Sequence, residues 1–194
     1  PEQPSDVDMG IVMNYLQNVL PSDVIITNGA GNFAVWPNKF FQFGAGSRLL
    51  APQSGAMGYG VPAAIAAKAA FPDRTVICFA GDGDFQMTCQ ELATAAQAQI
   101  FPIILIVNNA TYGTIRVHQE KNYPGRVSCT DIVNPDFIGL AQSFGFLGIS
   151  VKTTDEFSAA FSQALCSENG AVLDLHVSSE SVSYTHLTLP TKRI

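Results

Sequence analysis

Short apolar runs alternate along this chain with segments in which apolar residues recur every three or four positions. Apolar runs bounded by turn residues predict buried strands, and the periodic segments between them predict helices. The predicted strands cover residues 24–27, 76–80, 103–107, 146–151 and 171–177, with one further short strand within 37–50. The predicted helices cover 6–20, 63–70, 88–99, 134–144 and 154–166. This alternation is typical of an α/β fold with a mostly parallel central sheet.

Polar residues near the element ends suggest where the helices begin. Ser5 or Asp6 is expected to cap the first helix. The helix after the predicted strand 76–80 has two possible starts: Asp84 could cap it, or Thr88 could, with Glu91 completing a capping box. A short turn from Asp84 and a main helix from Thr88 would satisfy both. Residues 110–130 carry aromatic, glycine and charged residues without periodicity, which predicts a long loop. Loops of this length are more often functional than accidental.

The domain organisation follows from the absence of repeats and linkers. No composition shift interrupts residues 1–180, so we expect them to form a single domain. Residues 181–194 carry no helix or strand pattern. We expect this tail to be disordered or an artefact of sequence assembly, and the fold prediction does not include it.

Composition narrows the classes of function. The chain has 194 residues, 47% of them hydrophobic and only 13% charged, with a formal net charge of −6. Such a chain, without a Lys or Arg cluster, is not expected to bind nucleic acid, and no apolar run is long enough to span a membrane. So few charges indicate that another domain or subunit covers part of the surface. The cysteines form no CxxC pair and are expected to be buried free thiols in a reducing cytosol; they are Cys78, Cys89, Cys129 and Cys166.

Polar residues follow two successive predicted strands. Gly81-Asp82-Gly83 comes directly after the strand 76–80, and Asn108-Asn109 ends the strand 103–107. Successive parallel strands release such residues at the same edge of a sheet, where open α/β folds bind ligands. Carboxylate and amide oxygens suit Mg²⁺ or Ca²⁺, and glycine followed by a helix start favours a phosphate. The alternative is structural, with a tight turn and a strand cap and no ligand.

A second glycine loop, Gly29-x-Gly31-x-x-Ala34, formally matches the dinucleotide-binding pattern. That pattern needs an acidic residue roughly 20 positions further on to hold the ribose. No Asp or Glu occurs between Asp23 and Asp73, and the chain has no GxxxxGK[ST] motif. A nicotinamide-dependent dehydrogenase is therefore disfavoured, and the loop is expected to line the same crevice.

The GDG at 81–83 followed by NN at 108–109 resembles the fingerprint of the thiamine diphosphate (ThDP) enzymes. The stretch 54–64, SGAMGYGVPAA, is similar to the corresponding stretch of the acetolactate synthase large subunit and its relatives. The resemblance covers residues 5–178 and implies a three-layer sandwich with helices on both faces of the sheet. It also implies ThDP and Mg²⁺ as cofactors.

The resemblance assigns roles to particular residues. Asp82, Asn109 and the backbone carbonyl of Thr111 correspond to Mg²⁺ ligands. The resemblance also implies cofactor contacts from the turn formed by Gly83 and Asp84 and from the loop formed by Tyr112 and Gly113, which closes over the cofactor. Met57 corresponds to an apolar residue that props the cofactor, and the Gly55 carbonyl to a further contact. Asn32 and Phe33 correspond less closely. Relatives often have Ser where this chain has Asp84. Because a carboxylate there would repel phosphate, only its N–H is assigned to binding.

The implied activity is that of a ThDP-dependent lyase or transferase acting on a 2-keto acid, in which the cofactor carries the decarboxylation chemistry. In the family, a glutamate on a separate pyrimidine-binding domain activates the cofactor, and nothing in this chain resembles that domain. The chain is therefore expected to be a fragment or one half of a split enzyme that is inactive alone. A homo-oligomer, a dimer or tetramer, and a cytoplasmic location are also expected.

Three hypotheses remain open at this point. The first is the cofactor-anchoring domain of an acetolactate synthase-like carboligase, or of a simple 2-keto acid decarboxylase. The second is a non-catalytic module that binds Mg²⁺ and phosphate. The third is the dehydrogenase, which the missing ribose acid already weakens.

Overall fold

The computed structural model describes residues 6–178, so the prediction for residues 181–194 lies outside the described part. Six strands form one sheet: β1 (Ile25–Asn28), β2 (Arg48–Leu50), β3 (Val76–Gly81), β4 (Ile103–Asn108), β5 (Leu147–Val151) and β6 (Ala171–His176). The helices are α1 (Met9–Val19), α2 (Val35–Phe40), α3 (Gly60–Ala70), α4 (Asp82–Gln86), α5 (Glu91–Ala98), α6 (Gly113–Asn122), α7 (Phe137–Ser143) and α8 (Thr154–Cys166). A single 3-10 turn, Asn32–Ala34, precedes α2.

The sheet is parallel throughout, with the strand order β2-β1-β3-β4-β6-β5. β3 and β4 lie at its centre and pair in register from Ile77 with Ile103 to Gly81 with Val107. Their carboxyl ends therefore lie side by side. The predicted α/β fold with a mostly parallel sheet is confirmed.

Helices cover both faces of the sheet and define two hydrophobic cores. Alternate residues of each central strand face opposite sides, so Ile77 and Phe79 of β3 enter one core while Cys78 and Ala80 enter the other. The first core receives α1 and α8, and the second receives α3, α5 and α7. This arrangement is the expected three-layer sandwich, and it buries β3 and β4 on both faces.

Two predicted helix starts were wrong: a different side chain caps α1, and α5 begins without a side-chain cap. Asp8 caps α1, since its Oδ1 accepts from Gly10 N at 2.7 Å and from Ile11 N at 3.3 Å. Asp6 therefore does not cap it. Thr88 and Glu91 form no capping box, because the Thr88 hydroxyl donates to Gly58 O at 2.9 Å instead.

Two segments predicted as irregular contain helices. The predicted loop 110–130 includes α6, which has no buried residue. Helix α2 occupies the start of the segment 37–50, which ends in the expected short strand β2. A helix that buries no face lacks the apolar periodicity that sequence patterns detect, which explains why α6 was missed.

The cysteines are free, as predicted, but their burial is uneven. Cys78 is buried, Cys89 is half-buried, and Cys129 and Cys166 are exposed, so the expectation of four buried thiols was wrong. Burial raises the pKa of the Cys78 thiol to about 12, which keeps it neutral. Within residues 6–178, no helix combines the length and apolarity needed to cross a membrane.

Candidate functional site

The carboxyl ends of β3 and β4 open into a cleft whose volume is about 490 Å³ when the open solvent at its mouth is included. Asp82 follows β3 and Asn109 follows β4, and both line this cleft. The cleft also contains most of the other residues assigned from the sequence, namely Asn32, Phe33, Met57, Gly83, Asp84, Thr111, Tyr112 and Gly113. The remaining lining residues are Ala30, Gly31, Gly81, Val107, Thr114 and Ile115.

Gly55 is the one assigned residue that lies elsewhere. It lines a neighbouring hollow with Asn28 and Pro52, and it is exposed with a φ of 65°. Glycine adopts that left-handed conformation without strain. The structure therefore does not bring Gly55 together with Asp82 and Asn109 in one cleft.

Asp82 presents a buried carboxylate at the floor of the cleft, with 3% of its surface exposed. Its Oδ1 accepts from Gly83 N at 2.9 Å, and its Oδ2 accepts from Asn134 Nδ2 at 2.8 Å. Burial raises the pKa of this carboxyl, and the hydrogen bond from Asn134 opposes that shift. No ion pair among residues 6–178 reaches Asp82. A cation bound in the cleft would compensate this desolvated charge.

Asp84 directs its carboxylate toward the second glycine loop. Its Oδ1 accepts from Gly58 N at 2.9 Å and from Ala30 N at 3.1 Å, and its Oδ2 is buried without a hydrogen-bond partner. A Cβ added to Gly29 would overlap both oxygens, so the carboxylate fits only because that position is glycine. Asp84 thus joins α4 to two loops, and the Ala30 N–H is not free to bind a phosphate.

The same contacts position Met57. Gly58, the next residue, donates its N–H to Asp84 and accepts at its carbonyl from the Thr88 hydroxyl. Its φ of 83° places it in the left-handed region, where glycine is favoured. The loop before α3 is therefore fixed at the residue that follows Met57, and the half-buried Met57 side chain lines the cleft.

The opposite wall comes from the segment between β4 and α6. The half-buried Asn109 accepts at Oδ1 from Thr111 N at 3.2 Å. The Tyr112 ring lies against Gly83, because a Cβ there would overlap its Cε1. Thr114 Oγ1 donates to Asn32 Oδ1 at 2.9 Å, which joins the start of α6 to the glycine loop. Four chain segments therefore converge on one cleft.

Phe33 packs into the hydrophobic core, whereas the sequence suggests only a contact with the cofactor. Only 7% of its surface is exposed, and a Cβ on Gly81 would lie 2.7 Å from its Cδ1. The ring therefore covers the end of β3 and belongs to the first core. It forms an apolar part of the cleft floor.

The donor set of the cleft fits a hard divalent cation. Asp82 supplies carboxylate oxygens, Asn109 an amide oxygen, and Thr111 a backbone carbonyl that already accepts from Gly113 N at 2.9 Å and keeps a second lone pair. Mg²⁺ and Ca²⁺ prefer such oxygen ligands. Residues 6–178 contain no group of three or more His, Cys, Asp or Glu side chains that could hold a metal, so a transition-metal cluster is not indicated there.

Sequence analysis missed Asn134, which contacts Asp82 from a segment that was interpreted only as a helix start. It also missed Thr114 and Ile115, which line the cleft at the start of α6. No pattern marks a single polar residue in an irregular segment as part of a site. The residues Asn134-Pro135-Asp136 indicated the start of a helix and nothing more.

Burial raises the pKa of three carboxyl groups near the strand ends, those of Asp82, Asp84 and Asp174. For Asp84 the pKa rises from 3.8 to about 6, because desolvation disfavours the charged form. The folded chain therefore holds this proton at pH values where the unfolded chain has released it. The stability that results is fully present below pH 3.8 and is lost as the pH rises through about 6.

We therefore expect the metal-free chain to be less stable at about pH 8 than at about pH 5, by about 1 kcal/mol from Asp84 alone, because at pH 5 the unfolded chain has already released most of this proton. Urea denaturation in the presence of a chelator measures this difference. Asp84→Asn, which cannot ionise, should reduce it, whereas Asp73→Asn, an exposed control in the turn before β3, should not. Equal free energies of unfolding at the two pH values would contradict the assigned shift.

Comparison with known proteins identifies the family. The family model described as "Thiamine pyrophosphate enzyme, C-terminal TPP binding domain" matches residues 29–175. The chain is 37% identical over 160 residues to the acetolactate synthase large subunit of Parasynechococcus marenigrum (strain WH8102), covering 81% of this chain and 26% of that protein. It is 33% identical over 156 residues to the acetolactate synthase isozyme 3 large subunit of Escherichia coli (strain K12), covering 79% of this chain and 27% of that protein.

A solved structure agrees with these matches. The thiamine diphosphate-dependent 4-hydroxybenzoylformate decarboxylase of Rhodococcus jostii RHA1 superimposes with a TM-score of 0.81 at 29% identity, covering 92% of this chain and 34% of that chain. The present chain belongs to the C-terminal TPP-binding domain family of the thiamine pyrophosphate enzymes. It spans roughly a quarter to a third of the length of the acetolactate synthases it matches.

Proposed function

We propose that this chain anchors Mg²⁺ and the diphosphate of ThDP in a 2-keto acid decarboxylase or carboligase that resembles acetolactate synthase. The observation that carries the proposal is the placement of Asp82 and Asn109 in one cleft at the ends of adjacent parallel strands. The buried Asp82 carboxylate supports it further, because no ion pair among residues 6–178 neutralises that charge. The family match supplies the cofactor.

Within this proposal the ion is held by oxygen atoms from two adjacent loops. Asp82 contributes its carboxylate, Asn109 its amide oxygen and Thr111 its carbonyl. The Asp82 carboxylate is already oriented by two hydrogen bonds, and Asn109 is oriented by Thr111 N, so little side-chain freedom is lost when the ion binds. Preorganised ligands of this kind raise affinity.

The rest of the cleft suits the other parts of the cofactor. The Asp84 N–H lies in the first turn of α4, where backbone N–H groups have no intrahelical acceptor, and it can bind a diphosphate oxygen. The Gly83 N–H already donates to Asp82 Oδ1, so Gly83 contributes close backbone approach instead. Tyr112, Gly113 and Asn32 close the opposite side. Met57 and Phe33 provide apolar contacts, and Met57 is positioned to prop the cofactor rings. Gly55 is outside the cleft, so the proposed contact of its carbonyl with the cofactor requires the cofactor to extend beyond the cleft into the adjacent hollow.

ThDP, when bound, supplies a nucleophilic thiazolium carbon and an electron sink for decarboxylation of a 2-keto acid. The residues of this chain bind the cofactor and fix its orientation. We infer that a pyrimidine-binding domain, in the same or another chain, completes the site in a cytoplasmic homo-oligomer, and that this chain alone is inactive. Simple decarboxylation is the second candidate reaction, and the structural match to a benzoylformate-type decarboxylase favours it.

Calorimetric titration tests the anchoring role. We expect ThDP and inorganic pyrophosphate to bind in saturating Mg²⁺ and to lose binding in a chelator, because Asp82 and Asn109 would hold the ion and the ion would supply the positive charge that attracts the diphosphate. Pyrophosphate lacks the rings, so its binding does not depend on a pyrimidine-binding domain. Failure of pyrophosphate to bind in the presence of Mg²⁺ would overturn the proposal. Binding of pyrophosphate but not ThDP would instead favour the non-catalytic module.

Turnover assays with pyruvate and benzoylformate test the expected inactivity of the isolated chain. We expect no decarboxylation of either acid above the rate of ThDP in buffer, because no residue of the described chain is assigned to activate the cofactor. Measurable turnover by the purified chain with Mg²⁺ and ThDP would refute this part of the proposal.

A further inference from the structure

Behind the cleft, a continuous chain of hydrogen bonds joins Asp82 to the end of β6. Asn134 Nδ2 donates to Asp82 Oδ2 at 2.8 Å and to Asn108 Oδ1 at 2.9 Å. Asn108 Nδ2 in turn donates to Asp174 Oδ1 at 2.9 Å. Asn134 does not line the cleft, so it contacts Asp82 from the side away from the expected ligand.

The orientation of each amide in this chain is determined by the carboxylates at its ends. An ionised carboxylate only accepts hydrogen bonds, so Asn108 must turn its nitrogen toward Asp174 and its oxygen toward Asn134. Asn134 must then present its nitrogen to both Asn108 and Asp82. Its remaining oxygen accepts from Gln86 Nε2 at 2.9 Å. Both the nitrogen and the oxygen of the Asn134 amide are therefore hydrogen-bonded, and only one orientation of the amide makes all of these hydrogen bonds.

The backbone beside Asn134 is tied to the other proposed ligands. Tyr112 N donates to Thr130 O at 2.8 Å, and Ile132 N donates to Ala110 O at 2.9 Å. The Thr111 hydroxyl also donates to Thr130 O at 3.0 Å. The segment 130–134 thus runs antiparallel to the residues after β4, and it supports the Thr111 carbonyl through its backbone and Asp82 through the Asn134 side chain.

We propose that Asn134 is a positioning residue for the divalent-ion site. By holding Asp82 Oδ2, it fixes the plane of the carboxylate, so that the lone pairs not used by Asn134 and Gly83 point into the cleft. This inference rests on the proposed function, because it concerns the same ion. Hydrogen bonds to metal ligands commonly contribute about 10- to 100-fold to metal affinity, since they orient the ligand before the ion binds.

The test is a Mg²⁺ titration of the full chain in excess ThDP, followed by calorimetry, with Mn²⁺ and its electron paramagnetic resonance signal as a second probe. Asn134→Ala should weaken the apparent affinity for either ion by about 10- to 100-fold. Its affinity for ThDP at saturating Mg²⁺ should change much less, because no cleft residue is altered. Asn18→Ala removes an exposed asparagine of α1 that donates to Asn14 O, and it should change neither affinity.

A purely structural role for Asn134 predicts a different result. It would lower the melting temperature of the metal-free chain and leave the ion affinity of the folded fraction unchanged, and that outcome overturns the inference. If the wild-type chain binds no ion in the presence of ThDP, the proposed function itself fails.

If Asn134→Ala does not fold, Gln86→Ala decides the question. It keeps both hydrogen bonds donated by Asn134 but frees the other end of the amide, so a smaller loss of ion affinity is expected and an unchanged affinity overturns the inference.

Discussion

Replacing Asp82 with alanine should abolish Mg²⁺-dependent binding of ThDP and pyrophosphate. The carboxylate is the only fully charged member of the proposed ligand set, and it already faces the cleft at the end of β3. Its loss removes the charge that offsets the dehydration of Mg²⁺. Because residues that merely orient a ligand contribute about 10- to 100-fold, loss of the charged ligand itself should weaken the apparent affinity by at least about 100-fold. Calorimetric titration of both ligands with the variant measures the loss.

Two variants distinguish the loss of a charged metal ligand from a general loss of folding. Asp82→Asn keeps the shape and one oxygen acceptor but removes the charge, so we expect it to bind more weakly than wild type and more tightly than Asp82→Ala. Asp73→Ala removes an exposed carboxylate near the opposite end of β3 and should bind as wild type. Undiminished Mg²⁺-dependent binding by a folded Asp82→Ala chain would rule out Asp82 as a ligand.

The central strands were predictable because they are buried on both faces. A strand in the middle of a covered parallel sheet has no polar side, so it appears in the sequence as a continuous apolar run. The predictions 76–80 and 103–107 differ from β3 (Val76–Gly81) and β4 (Ile103–Asn108) by one residue at one end each. The position of Asp82 and Asn109 at one sheet edge followed directly from those two strands.

The helices that sequence analysis missed lack such a signal. Helix α6 buries no residue, so its polar and apolar positions follow no stripe. Its Ile115 is 49% exposed, so even this apolar side chain is only partly covered within residues 6–178. A helix that buries no side chain cannot be recognised from amphipathicity.

Contacts between residues that are far apart in the sequence could not be predicted either. Thr88 and Glu91 have the spacing of a capping box, yet the Thr88 hydroxyl bonds to Gly58, thirty positions away. Asn134 reaches Asp82 across 52 positions. Such pairings depend on how the loops pack at the sheet edge, and no local pattern encodes them. The resemblance to a family assigned cofactor contacts to particular residues, but it named no residue that orients them.

Gly29→Ala should destabilise the chain by about 3 kcal/mol, a large effect for the addition of one methyl group. Its Cβ would overlap both oxygens of Asp84, which is 1% exposed. The carboxylate would have to leave the N–H groups of Gly58 and Ala30, and all three groups would then be buried without partners. Urea denaturation measures the loss. Gly44→Ala is the matched control, since a Cβ there meets no atom within 4 Å.

The cause can be isolated with a second substitution. Asp84→Ala alone leaves the Gly58 and Ala30 N–H groups unpaired, which costs about 1–3 kcal/mol, but it also clears the space beside Gly29. The double variant Gly29→Ala/Asp84→Ala should therefore be no less stable than Asp84→Ala alone, so the two effects will not add. Additive losses would show that the glycine at position 29 is required for another reason. A non-additive result would establish that Asp84 is accommodated by the glycine opposite it and joins the glycine loop, the Met57 loop and α4 into one wall of the cleft.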